Sequence, residues 1–316
     1  MDDELRGTDR SSSTILGGRV ALDENGFIGF PRSVFHAAGA TPGHLSDEPH
    51  WVTETDAGRN VVVGTVHRSN PRHPQAVALH RVVDQWLDRT DGTLRAMLFE
   101  GGARRTARKV YGDADAAMRD GEMAWGEYLA DQHGVAKVSL EEHPRDQVRG
   151  LLANGTAPDM LFFHHVMRMI PQAVRRGENI DSRIAQTIDQ NSFILGPALD
   201  GRTGPLGDAS ERFRSLLVEN YAHRDFPRDF RSDDEAWILR EQADVLVDPA
   251  AVENPSPLQK VAFAVHQRRQ QYMVDILNGH LDDGYSILAL YGQTHMPYVL
   301  PHIHGFTGAD TVPLTA

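Results

Sequence analysis

The sequence contains no cysteine, which excludes disulfides, thiolate metal ligands and cysteine nucleophiles together. No apolar run approaches the roughly 18 residues that a membrane-spanning helix needs. Basic residues are scarce relative to acidic ones, 32 Lys and Arg against 44 Asp and Glu, a net charge of −12. So acidic a chain is poorly suited to phosphate backbones or anionic lipid, and neither a nucleic-acid nor a membrane partner is expected. The first residues, Met1-Asp-Asp-Glu-Leu-Arg6, lack the apolar core of a secretory leader, and with the missing cysteines this predicts a cytoplasmic protein. Low-complexity segments and solenoid repeats are also missing.

What remains is 316 residues, 40% apolar and 24% charged, enough for one large domain with a small appendage. Sixteen histidines stand out. Without cysteine, any transition-metal chemistry falls to imidazole and carboxylate. Residues 1–14 read as a frayed polar tail. Arg19–Leu22, the Asn25-Gly26 turn and Phe27–Phe30 suggest a small hairpin, and Trp51–Thr55 before Asp56-Ala-Gly-Arg59 suggests a second. Residues 1–56 are therefore expected to form a tail and a β-hairpin module.

From residue 57 the pattern is strand, helix, strand, helix, strand: Asn60–Gly64, His73–Asp88, Leu94–Phe99, Asp120–His133 and Val135–Leu140. That alternation predicts an α/β domain with a largely parallel central sheet. Residues 144–280 read as almost all helix, opened at Pro144, at Pro158 and at Pro257. Tyr285–Tyr291 then returns to strand, so the helices form a long insertion before the last strand of the 57–316 domain.

Two segments share one shape: Val61-Val-Val-Gly64-Thr-Val-His67 and Ala289-Leu-Tyr-Gly292-Gln-Thr-His295. Each places a histidine just past the carboxyl end of a buried strand, the edge where open α/β sheets bind ligands. The glycine is expected to let the backbone turn tightly there. Glu100 ends a third strand, before Gly101-Gly102. Two imidazoles and one carboxylate leave positions open on a divalent metal, the arrangement of catalytic sites. Such a metal would activate water and polarise a carbonyl.

Gly64-xx-His67, Glu100, Arg269-xxx-Met273 and Gly292-xx-His295 together resemble the TIKI/TraB superfamily over about residues 60–302. Erythromycin esterases and ChaN-type haem-uptake proteins are its more distant relatives. The resemblance implies an α/β fold and metal-dependent hydrolysis of a peptide, amide or ester bond in a small molecule or peptide. It makes His67, Glu100 and His295 the ligands of a divalent transition metal (Mn, Co, Zn or Fe), and Arg269 a contact for an anion or transition state. It also makes Glu122 or Glu127 an acidic group on the following helix, with the two glutamates left as alternatives. The erythromycin esterase side of the resemblance implies instead a metal-free hydrolase with His67 as general base. The ChaN side implies a haem carrier.

Glu141-Glu142-His143 reads as a solvated loop feeding the helix at Pro144, His164-His165 as core or groove lining, and His302-Ile-His304 as a surface segment. Arg104, Arg105, Arg108 and Lys109 read as a solvated helix start, or as a contact for an acidic substrate group. The segment Val20 to Gly43 resembles AbrB-type swapped-hairpin domains, which dimerise and often bind DNA. Residues 1–50 hold four Lys or Arg against eight Asp or Glu, a net of −4, so a homodimer is expected rather than DNA binding.

Overall fold

Val61-Val-Val63, Met97-Leu-Phe99 and Ile287-Leu-Ala-Leu-Tyr291 are apolar on both sides of a strand, which only a sheet covered on both faces accommodates. The computed structural model describes residues 13–15, 18–20, 51–65, 70–101, 111–170, 173, 176–199, 213, 215–216, 257–306, 309 and 311–313. Among these the strands are β1 (Ser13–Ile15), β2 (Gly18–Val20), β3 (Trp51–Thr55), β4 (Asn60–Thr65), β5 (Arg95–Phe99), β6 (Ala136–Ser139), β7 (Ser286–Gly292) and β8 (Thr311–Pro313). The α-helices are α1 (Pro74–Arg89), α2 (Ala114–Met118), α3 (Glu122–Gln132), α4 (Pro144–Ala153), α5 (Pro158–Met167), α6 (Ile180–Leu199), α7 (Pro257–Asp282) and α8 (Met296–Val299).

The protein is an α/β fold. Its main sheet has the order β6-β5-β7-β4-β3-β8. The first four strands are mutually parallel, while β3 runs antiparallel to both β4 and β8. β3 and β4 are the hairpin expected around Asp56, and β1 pairs antiparallel with β2. The hairpin segment resembling a swapped dimer, residues 20–43, lies almost wholly outside the described residues. No helix among the described residues is long and apolar enough to cross a membrane.

The chain divides into two compact units, residues 1–141 with 270–316, and residues 142–269. In the first, strand alternation sends side chains to two cores. Val61, Val63, Met97, Phe99, Leu288 and Leu290 meet the apolar stripe of α1, including Leu79, Val83 and Trp86. Val62, Leu98, Ile287, Ala289 and Tyr291 meet Met273 and Leu277 of α7 and Tyr298 and Val299 beyond β7. Each fully buried large side chain contributes about 1.5–3 kcal/mol. Helix α3 sits close on the sheet because Gly126 has no side chain. A Cβ there would lie 2.5 Å from Phe99 Cε1.

The second unit holds α4, α5, α6 and the first half of α7 around Val148, Leu161, Phe163, Val166, Ile184, Leu258 and Val265. Phe163 and Phe213 meet edge to face at 4.8 Å. Two helices in the protein start in the same way, on a His-Pro pair. His73 and His143 are N-caps whose rings accept from Gln75 N and Arg145 N, each at 3.3 Å, with proline in the first turn where its missing N–H is no loss. Some of the histidine excess is therefore capping.

Candidate active site

Strand order brings the expected strand ends together. β7 lies between β5 and β4, with Phe99 opposite Leu290 and Thr65 opposite Gly292. Glu100 continues the register, its N–H donating to the Leu290 carbonyl at 3.0 Å. Its side chain follows Ala96 and Leu98 to the same face as Tyr291. There one carboxylate oxygen, Oε2, accepts a short hydrogen bond from the Gly292 N–H. The other, Oε1, stands 3.7 Å from His295 Nε2. His295 ends a 3-10 turn, Gln293–His295, and is only 5% exposed. Two residues 195 positions apart thus form one carboxylate–imidazole pair at the carboxyl edge of the parallel strands.

Gly64 and Gly292 act differently from the expectation of a tight glycine turn. Gly292 has φ −56, ψ 132, open to any residue, and neither glycine is among those with positive φ. Gly64 is instead needed for space. A Cβ on it would lie 2.1 Å from Met296 Sδ and 2.9 Å from the Gln293 Cα. The absent side chain is what lets the turn carrying His295 fold back over β4.

On the opposite face, the end of β4 meets helix α3. Thr65 Oγ1 donates to Glu122 Oε1 at 3.1 Å and lies 3.3 Å from the Tyr291 carbonyl oxygen. Glu122 is 3% exposed and occupies the first turn of α3, where the helix dipole favours a carboxylate. Glu127 lies about 140° round the same helix and is partly buried. The structure therefore brings Glu100, His295 and Glu122 to the strand ends, on two faces of the sheet. His67 lies outside the described residues, as do Arg104, Arg105, Arg108 and Lys109. Arg269 is the last residue of the second unit, on α7, and partly buried. Among the described residues no group of three or more His, Asp and Glu side chains is gathered as metal ligands would be.

Two residues at this edge were not singled out from sequence, Thr65 and Tyr291. Tyr291 is fully buried, its ring edge-on to His295 at 6.4 Å between centroids. Burial, and then the nearby Glu100 carboxylate, push its phenol above the ordinary range. The available signal was a polar-tipped aromatic ending an otherwise aliphatic strand.

The other described clusters lie away from this edge in sequence and make their own contacts. Glu142 is not solvated. It is nearly buried and receives two hydrogen bonds from the Arg268 guanidinium, one of them at 2.7 Å. That guanidinium occupies the space over Gly150. His164 and His165 are both buried, their rings 5.7 Å apart. His304 pairs with Asp282 at 2.9 Å, and Asn278 binds the backbone of both His302 and His304, which pins the HxH segment to α7. No family model matches the chain, and no curated protein or solved structure matches it either.

Proposed function

We propose that this protein is a hydrolase of a peptide, amide or ester bond, with its reaction centre at the carboxyl edge of β4, β5 and β7. The observation that carries this reading is the Glu100–His295 pair, formed across the sheet at the edge where such folds bind ligands. A carboxylate and an imidazole are the donor types that hold a divalent transition metal, and His67, two residues beyond the neighbouring β4, supplies the third donor in this reading. When bound, such an ion lowers the pKa of a water and polarises a carbonyl.

The chain's own residues contribute orientation and proton handling. The Gly292 N–H fixes the Glu100 carboxylate before substrate arrives. In the metal-free form of this reading His295, beside that carboxylate and almost out of solvent, takes a proton from the attacking water and returns it to the leaving group. Because this pair is itself a base with its orienting carboxylate, a metal-free esterase reading stands as the second one. The cysteine-free sequence and the swapped-hairpin resemblance support a cytoplasmic homodimer.

The test measures metal content of protein purified without chelator, alongside hydrolysis of ester and peptide probes, for wild type, Glu100→Gln and His295→Ala. Both variants are expected to fold and to lose at least ~100-fold in turnover. Chelator-sensitive activity selects the metal reading and chelator-resistant activity the metal-free one. Wild-type turnover in His295→Ala rejects both.

A further inference from the structure

Tyr291 is the last side chain of β7 before the glycine that holds Glu100. Its hydroxyl is buried and has no hydrogen-bond partner among the described residues. A buried phenol ordinarily finds one, and a buried hydroxyl left without one costs about 1–3 kcal/mol. Phenylalanine would fill the same volume without that cost. Tyr291 belongs to a core that is otherwise mainly apolar, with Ile287, Ala289, Met273, Leu277 and Tyr298 among its members. Two observations point to a ligand contact: the unpartnered donor itself, and its place on the face that carries Glu100 and His295. Glu100 keeps 12% of its side chain exposed, so this strand end is not sealed.

We infer that the Tyr291 hydroxyl is an oxyanion donor, hydrogen-bonding the carbonyl oxygen of a bound ester or amide as negative charge develops on it. The inference rests on the hydrolase reading. Water attacks the carbonyl carbon and the C=O π pair moves onto oxygen. The water's proton passes to the Glu100–His295 pair. The phenol O–H donates to the oxyanion without giving up its proton. When the carbonyl re-forms, the bond to the leaving alcohol or amine breaks and that group takes the proton back. The raised phenol pKa suits a donor that stays protonated throughout.

The experiment is Tyr291→Phe against wild type, read by hydrolysis of p-nitrophenyl acetate, by thermal midpoint, and by the midpoint shift on adding methylphosphonate, a tetrahedral oxyanion. The expected result is a fall in kcat of about 10²–10³-fold with KM little changed, and a midpoint equal to or above that of wild type. The methylphosphonate shift should be present in wild type and lost in the variant. A variant that turns over and responds to methylphosphonate like wild type overturns the inference. So does a variant that fails to fold, since the hydroxyl would then be structural. If wild type hydrolyses neither ester nor peptide yet responds to methylphosphonate through Tyr291, the hydrolase reading falls and the oxyanion contact stands. If wild type shows neither hydrolysis nor a response, both fall.

Discussion

Gly64→Ala tests how the strand edge is built. The new Cβ would lie 2.1 Å from Met296 Sδ, 2.7 Å from Met296 Cγ and 2.9 Å from the Gln293 Cα. The thioether can swing aside, since methionine has three rotatable bonds. The Gln293 Cα cannot move alone, because it belongs to the turn that places His295. Overpacking of this kind costs about 1–3 kcal/mol, partly offset by the ~0.4–1 kcal/mol that alanine gains by restricting the unfolded chain. The net expectation is a loss of about 1–2 kcal/mol. For a unit of this size the thermal midpoint falls by roughly 2–4 °C per kcal/mol.

Gly279→Ala is the matched comparison. Gly279 is an exposed glycine inside α7, and a Cβ on it would meet none of the described residues within 4 Å. Alanine there should stabilise by about 0.5–1 kcal/mol, so the two substitutions move the midpoint in opposite directions. Thermal melts by circular dichroism give both values. Adding Met296→Ala to Gly64→Ala separates the two contacts. Partial recovery is expected, because the backbone contact remains. A Gly64→Ala protein as stable as wild type would refute the close-approach account of this glycine. Full recovery in the double variant would assign the constraint to the sulfur alone.

His164 is buried and held neutral, its pKa pushed well below the ordinary value by burial and then by His165, Arg168 and His266. Its unfolded form binds a proton first as pH falls, so the stability it contributes is complete above the ordinary histidine pKa and is lost on acidification. Lowering the pH from about 7 to about 5 should depress the stability of the helical unit more steeply in wild type than in His164→Asn. Equal slopes would remove His164 from the response. In the same unit, Arg268→Ala leaves the nearly buried Glu142 carboxylate without its two charged hydrogen bonds, and should cost about 2–4 kcal/mol in chemical denaturation. A loss below ~0.5 kcal/mol would class the pair with ordinary surface bridges.

Much of the fold was legible because its signals are local. Val61-Val-Val63 and Ile287–Tyr291 are apolar at every position, as buried parallel strands are, and the α1 stripe repeats at helical spacing. Pro74, Pro144 and Pro158 start helices where their missing N–H costs nothing. Other features depended on partners distant in the chain. α7 runs through the exposed Gly279 to Asp282, because a glycine weakens a helix without ending it. Glu142 looked solvated because nothing near it in sequence announces Arg268, 126 positions away.

The candidate site follows the same division. The repeated Gly-x-x-His and the strand-end Glu100 were visible as residue types at strand ends, but their meeting depended on strand order. β7, last of the parallel strands in sequence, inserts between β5 and β4, and this alone puts His295 beside Glu100. The same insertion sets the Gly292 N–H against the Glu100 carboxylate, so one crossover both assembles the pair and orients it. Tyr291 shows why the rest was hidden. A tyrosine in an aliphatic run reads as core, and in area terms it is core. Only the failure of its hydroxyl to find a partner marks it, and an unmet hydrogen bond is a property of three-dimensional surroundings that no pattern of letters records. Sites of this kind are therefore found by asking which buried polar atom the fold leaves unanswered, and what chemistry stands next to it.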